Sequence, residues 1–251
     1  MHRRNYTEIT EEDMQWTIEK EKVDFEYDIK FIEKTINLLD DILAAYTTAI
    51  CLKGMIKSKL AQISMAIIRK NIDYLYSTFL LTRQGMYGSA RVIFRNIYES
   101  LIILKTVAIA NDEQLLQKWI NGEEISLRSS VFRKIEYPIS EEMKVLWNDL
   151  CRFCHGTIYS IEQEKNYSEA KGNIEYNYVI IEMLVYMNFH VLNRYVFSEG
   201  MKAMIYRTVV SDVPIKDKIT QMRLLMKSLK EVLCPAPKRV LIDFSKVWKF
   251  K

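Results

Sequence analysis

The sequence predicts an all-α fold, an antiparallel bundle of about seven or eight helices with a basic arm at the carboxyl terminus. Its 251 residues include only 7 Gly and 4 Pro, so few positions interrupt a regular segment. Residue types with high helix propensity, such as Leu, Lys and Glu, are abundant, and apolar residues recur three and four positions apart. We therefore expect one helical bundle over residues 1–233 and a separate arm over residues 234–251.

The amino-terminal part of the chain predicts two long helices. An amphipathic helix is expected over about residues 10–50, and a second over residues 55–83. On the second helix, Arg69 and Asp73 lie four positions apart and are expected to form an exposed ion pair. Gly85 then closes this helix, and a short turn is expected to send the chain back in the antiparallel direction.

The stretch over residues 83–110 predicts the central helix of the bundle. Apolar side chains surround almost its whole circumference, which is typical of a helix buried on all sides. Arg91, Arg95 and Glu99 are the exception, because their spacing of four places them in one charged row. Buried charges are costly unless they are paired, so this row must meet partners inside the protein or line a cleft.

Three segments are expected next along the chain. Asp112 caps a polar helix that should run to about Arg133 on the outside of the bundle. A further helix is expected from Ser140 through the segment Cys-Arg-Phe-Cys-His at residues 151–155. The charged residues 162–172 are expected to form an exposed loop.

The carboxy-terminal part predicts two more helices and the arm. A strongly apolar helix is expected over about residues 175–199, and a last helix from Pro214 to Leu233. Residues 234–251 combine basic and aromatic side chains. We expect this arm to pack against the bundle or against a second subunit.

Composition narrows the class of protein. The formal net charge of +4 is too small to indicate a nucleic-acid coat protein. The amino terminus lacks the apolar core of a secretory signal, and no run is long and apolar enough to cross a membrane. Four cysteines in a chain without an export signal favour reduced thiols. A cytoplasmic protein is therefore expected.

The segment at residues 151–155 matches the Cys-x-x-Cys-His pattern of covalent haem attachment, which requires export. Zinc would need further ligands, and the remaining cysteines belong to distant segments. Cys151 and His155 have the spacing of a nucleophile and its base, but no acidic residue that would orient the base is evident. Two half-buried thiols on one helix are the simpler interpretation. No metal and no cofactor are predicted, and no Gly-rich phosphate loop is present.

Two interpretations of the charged row stay open. The row forms an internal salt bridge that ties neighbouring helices together. Alternatively, Arg91 and Arg95, with Glu99 beside them, join Arg152 and His155 of a facing helix in a cationic pocket for a phosphate or an RNA backbone.

The central helix and the helix that ends near residue 155 resemble the HEPN-like proteins (higher eukaryotes and prokaryotes nucleotide-binding), especially a bacterial branch whose function is not characterised. The resemblance covers roughly residues 55–195. It is carried by a glycine turn and a small set of residues on the two helices, which are Ala90, Arg91, Arg95, Glu99, His155 and Gly156.

The resemblance implies a compact helical homodimer from a stress, defence or toxin-antitoxin system that binds RNA or a nucleotide. Many such proteins are metal-independent ribonucleases with an Arg-x4-6-His motif; here only two residues separate Arg152 from His155. By this resemblance, His155 would act as the general base and the arginines would stabilise the phosphorane. The alternative is a non-catalytic interaction protein, in which the Arg/Glu row is structural and a protein partner binds elsewhere.

Overall fold

The protein is an all-α helical bundle, as the sequence predicts. The computed structural model describes residues 11, 15, 18, 19, 23–53, 59–134, 139–154 and 170–192. These residues form six α-helices, and no β-strand occurs among them. The helices are α1 (Glu26–Lys53), α2 (Lys59–Arg83), α3 (Tyr87–Ala110), α4 (Glu113–Ile120), α5 (Ile139–Cys154) and α6 (Ala170–Val191).

Two short turns connect α4 to α5, a π-helical turn at Leu127–Val131 and a 3-10 turn at Phe132–Lys134. The predicted helix over residues 214–233 and the arm over residues 234–251 lie outside the described residues. No helix in the described part of the chain is long and apolar enough to cross a membrane.

A tight turn at Gly85 reverses the chain between α2 and α3, as predicted. Gly85 has a φ of 77°, a conformation that other residues rarely adopt. Its N–H donates to the carbonyl of Thr82, and the N–H of Met86 donates to the carbonyl of Leu81 at 2.8 Å. These two bonds satisfy carbonyls that the end of α2 would otherwise leave open.

Two helices form the centre of the bundle. α3 packs against α2, α5 and α6, whereas α6 packs against α1, α2 and α3. The prediction that α3 is a buried central helix is confirmed over residues 101–107, which are all buried, whereas Val92 and Ile109 nearer its ends are exposed. The carboxy-terminal half of α6 is even more enclosed, because every residue over 180–192 is buried. Each fully buried large apolar side chain contributes roughly 1.5–3 kcal/mol.

The helix that starts after Asp112 is shorter than predicted. Asp112 is its cap, as expected, and its carboxylate accepts from the N–H of Leu115 at 2.9 Å. The helix ends at Ile120, however, and not near Arg133. Gly122 has a φ of 71°, which ends the helical conformation and turns the chain toward the π-helical turn.

Two other expectations are wrong in detail. Arg69 pairs with Asp40 on α1 and not with Asp73 on its own helix, so the ion pair joins two helices. α6 begins at Ala170, inside the segment that was predicted to be a loop over residues 162–172. Both differences depend on tertiary packing, which the local spacing of charges does not encode.

Glu182 is a carboxyl group enclosed between α6 and α1. Only 5% of the residue is exposed. Burial disfavours its charged form, and the nearby carboxyl of Asp28 on α1 repels it, so that the pKa of Glu182 is raised to about 8. At neutral pH this group is therefore mostly protonated.

We expect Glu182→Gln to stabilise the protein increasingly as the pH rises between the ordinary value of 4.5 and about 8. In this range the folded protein holds a proton that the unfolded chain has released, so the free energy of unfolding of the wild type falls with increasing pH. Above about pH 8 the free energy of unfolding of the wild type is lower by the full cost of the buried charge, on the order of 3–5 kcal/mol. Urea unfolding at several pH values measures this difference between Glu182→Gln and the wild type. Glu175→Gln, at an exposed position on the same helix, is the matched control. A stability difference that does not vary with pH would contradict the expectation.

Candidate functional site

Arg91 lies inside the bundle, where it binds α6. Only 3% of the residue is exposed. Its Nε donates to the amide oxygen of Asn177 at 3.0 Å, and its Nη2 donates to that of Asn173 at 2.8 Å. The guanidinium also lies over the ring of Tyr176, at 4.8 Å from the ring centroid. Arg91 thus ties the middle of the bundle together and is enclosed by α6.

Asn177 extends this connection to the turn at Gly85. Its Nδ2 donates to the hydroxyl of Thr82 at 3.1 Å and to the carbonyl of Tyr87 at 3.5 Å. One amide side chain therefore joins the end of α2, the start of α3 and Arg91. Because both of its polar atoms are used in a buried site, each of these hydrogen bonds is costly to lose.

We expect Arg91→Lys to lower the free energy of unfolding by about 1–3 kcal/mol, because a lysine ammonium lacks the rigid fork that reaches two amide oxygens. Exposed Arg69→Lys is the matched control and should cost less than about 0.5 kcal/mol. Chemical denaturation of both variants measures the difference. Equal stabilities would show that the helix-joining role assigned to Arg91 is incorrect.

Arg95, one turn farther along α3, lies in a partly exposed position. Its Nε donates to Oε1 of Glu99 at 2.7 Å, and the two side chains are 25% and 24% exposed. The same Oε1 accepts from Nε1 of Trp147 on α5 at 2.8 Å. The carboxylate of Glu99 therefore holds a guanidinium from its own helix and an indole from the neighbouring helix. This ion pair is not sealed inside a dry core.

The thiols of α5 complete the surroundings of Arg95. Burial works against the charged form of Arg95, but hydrogen bonds with Glu99 and Cys154 and the charge of Glu99 outweigh it and raise its pKa. Burial raises the pKa of Cys151, while the positive charges of Arg95 and Arg128 act in the opposite direction. A thiol with a raised pKa stays protonated at neutral pH, which does not favour a cysteine nucleophile here.

Arg128 approaches the same site from the π-helical turn. Its guanidinium lies over the ring of Trp147, at 5.4 Å from the centroid. Phe132 meets the same indole edge to face, with ring centroids 5.8 Å apart. Sequence reasoning missed both Arg128 and Trp147, because neither belongs to a motif and the contact joins segments that only the fold brings together.

The structure does not bring Arg152 to this cluster. At about 100° per residue, Arg152 lies on the other side of α5 from Cys154. It is 62% exposed and approaches the carboxylate of Asp149 at 3.9 Å. Asp149 also accepts from the hydroxyl of Tyr176 at 2.9 Å. His155, the other residue of the predicted catalytic pair, lies outside the described residues.

The described residues contain no group of three or more His, Cys, Asp and Glu side chains that could hold a metal ion. Cys151 and Cys154 are free thiols, each partly buried.

Residues 61–177, just under half of the chain, match the model of a family of unknown function, DUF5677. The matched region extends from α2 into α6 and includes Arg91, Arg95, Glu99, Arg128 and Trp147. No curated protein matches the chain, and no solved structure does. The resemblance to HEPN-like proteins therefore stays a prediction.

Proposed function

We propose that the protein binds the phosphate groups of RNA or of a nucleotide at the Arg95–Arg128 cluster, which consists of Arg95, Glu99, Arg128, Trp147 and Cys151. The observation that carries this proposal is a chain of contacts that joins two guanidinium groups from separate elements: Glu99 binds both Arg95 and the indole of Trp147, and Arg128 lies over that indole. Arginine is well suited to phosphate, because its planar fork of N–H donors matches two phosphate oxygens.

The charge balance of the cluster supports an anionic ligand. Glu99 offsets the charge of Arg95, whereas Arg128 makes no hydrogen bond or ion pair within the described part of the chain. The raised pKa of Cys151 keeps its thiol neutral, so it cancels no positive charge. The cluster thus contains two guanidiniums and a single carboxylate.

The four predicted site residues that the structure describes divide into three roles under this proposal. Arg95 and Glu99 belong to the binding cluster. Arg91 is a positioning residue, because its donors are directed into α6. Arg152 lies exposed on another side of α5, where its charge can attract an RNA backbone over a longer range.

Cleavage of RNA is a second part of the proposal. His155 directly follows Cys154 in the sequence, and the thiol of Cys154 is one of the groups that raise the pKa of Arg95. In this proposal His155 removes the proton of a 2′-hydroxyl and the 2′-oxygen attacks the neighbouring phosphorus. The bond from phosphorus to the 5′-oxygen breaks, which gives a 2′,3′-cyclic phosphate, and the 5′-oxygen takes a proton from water. Arg95 stabilises the charge that develops on the phosphorane.

The stress, defence or toxin-antitoxin setting and the homodimer rest on the HEPN-like resemblance. The competing proposal is a non-catalytic interaction protein, and the ion pair between Arg95 and Glu99 favours it. The two proposals predict different effects of Arg128→Ala. A binding cluster should lose affinity for RNA, whereas a purely structural cluster binds no RNA in the first place.

We expect Arg128→Ala to weaken binding of a single-stranded RNA oligonucleotide roughly tenfold and to reduce the slope of log affinity against log salt by about 0.7, because one phosphate contact is lost. Fluorescence anisotropy at several salt concentrations measures both quantities. Arg69→Ala, which removes the same charge from the α1–α2 side, should change the affinity less than about twofold.

If Arg128→Ala and Arg69→Ala lower the affinity equally, the cluster is not the binding site. If the wild type binds neither RNA nor nucleotides, the interaction protein is the correct alternative.

We expect purified protein to cleave RNA with EDTA present, and His155→Ala to lower the rate at least about 100-fold, because a general base contributes at least that much. Gel analysis of labelled RNA measures the rate, and 2′-deoxy substitution at the cleaved position should abolish cleavage. His2→Ala is the matched control. Cleavage that survives His155→Ala would contradict the assigned base, while intact RNA that is nevertheless bound would limit the function to binding.

A further inference from the structure

We propose that the Trp147–Arg128 pair is a stacking platform for an unpaired base, so that the ligand class of the cluster is a nucleotide or single-stranded RNA and not phosphate alone. This inference rests on the proposed function. The inference adds the base of the nucleotide, because the guanidinium groups by themselves specify only its phosphate.

The indole of Trp147 is held in a fixed orientation. Its Nε1 donates to Glu99 at 2.8 Å, and the ring of Phe132 packs against it at 5.8 Å. Glu99 is in turn held by Arg95 at 2.7 Å. Glu99 and Phe132 therefore hold Trp147 from two elements, and its ring cannot turn without breaking a hydrogen bond and an aromatic contact.

The guanidinium that lies over this indole is exposed. Arg128 has its ring contact at 5.4 Å, and within the described residues it makes no hydrogen bond or ion pair. Nearby cations are engaged differently: Arg95 is bound by Glu99, and Lys134 is bound by Asp112. Arg128 therefore carries a set of N–H donors and an outer planar face that no contact with the described residues uses.

A planar cation on a fixed indole suits a nucleobase. Bases stack on aromatic rings and on arginine planes, and they do so with little dependence on sequence. The N–H donors at the edge of Arg128 can donate to a phosphate of the same nucleotide, and Arg95, which is joined to Trp147 through Glu99, can donate to a second oxygen. A base that is paired inside a duplex cannot stack on this pair of side chains, so unpaired nucleotides are the expected ligands.

The test compares AMP with ribose 5-phosphate, which has the same phosphate and sugar but no base. Isothermal titration of the wild-type protein should give an affinity for AMP roughly 5- to 100-fold higher than for ribose 5-phosphate. Arg128→Lys keeps the charge but removes the planar face, so it should bring this ratio below about threefold while ribose 5-phosphate still binds. Arg133→Lys, in the neighbouring 3-10 turn, is the matched control and should leave the ratio unchanged.

Trp147→Phe supplies a second readout. The chain contains 4 tryptophans, and a base that stacks on the Trp147–Arg128 pair should quench the fluorescence of Trp147 when AMP is added. This quenching should disappear in Trp147→Phe, which retains an aromatic core contact, while circular dichroism remains that of the wild type.

Three results would overturn the inference. Equal affinities of the wild type for AMP and ribose 5-phosphate would remove the stacking platform and leave phosphate binding intact. A large ratio that survives Arg128→Lys and quenching that survives Trp147→Phe would place the base elsewhere. Absence of binding by either compound would overturn the proposed function and this inference together.

Discussion

The requirement that polar groups inside the bundle find partners on other helices determines how α3 and α6 are placed. α3 carries Arg91 into the interior, and α6 supplies the two amide oxygens that receive it. An unpaired guanidinium there would cost several kcal/mol, on the order of the whole stability of a domain. The same constraint acts at Asn188, whose amide oxygen accepts from Asn71 on α2 at 3.0 Å. The polar contacts therefore fix the relative positions of helices that apolar packing alone would allow to slide.

Arg91 and Arg95 show how one turn of helix separates a scaffold from a candidate site. Both belong to the charged row of α3, yet Arg91 is enclosed by α6 whereas Arg95 is a quarter exposed beside α5. α6 covers the first position with amides and an aromatic ring. α5 meets the second with an indole and two thiols, which leave a partly open surface. The difference follows from which helix lies opposite, and the row itself does not determine it.

The parts of the fold that local sequence encodes could be predicted, and the parts that depend on distant contacts could not. The turn at Gly85 and the cap at Asp112 follow from one residue each, and the burial of α3 follows from its apolar circumference. The sequence also indicated that the charged row needs internal partners. The sequence could not show which residues these partners are, because Asn177 lies 86 residues from Arg91 along the chain. Arg128 and Trp147 carry no periodic or motif signal, so their meeting was not predictable.

The salt bridge between Arg95 and Glu99 favours a structural cluster but is also compatible with a functional one, because one carboxylate serves both purposes. By holding Trp147 and Arg95 with the same Oε1, Glu99 fixes an indole and a guanidinium at a partly exposed surface. The hydrogen bond that Arg95 makes with Glu99 raises its pKa, and burial raises that of Cys151, so neither group changes its charge near neutral pH. The charges of Arg95 and Cys151 are therefore constant in this range, and the attraction of the cluster depends on the excess charge of Arg128. Since Arg128 is exposed, salt weakens this attraction.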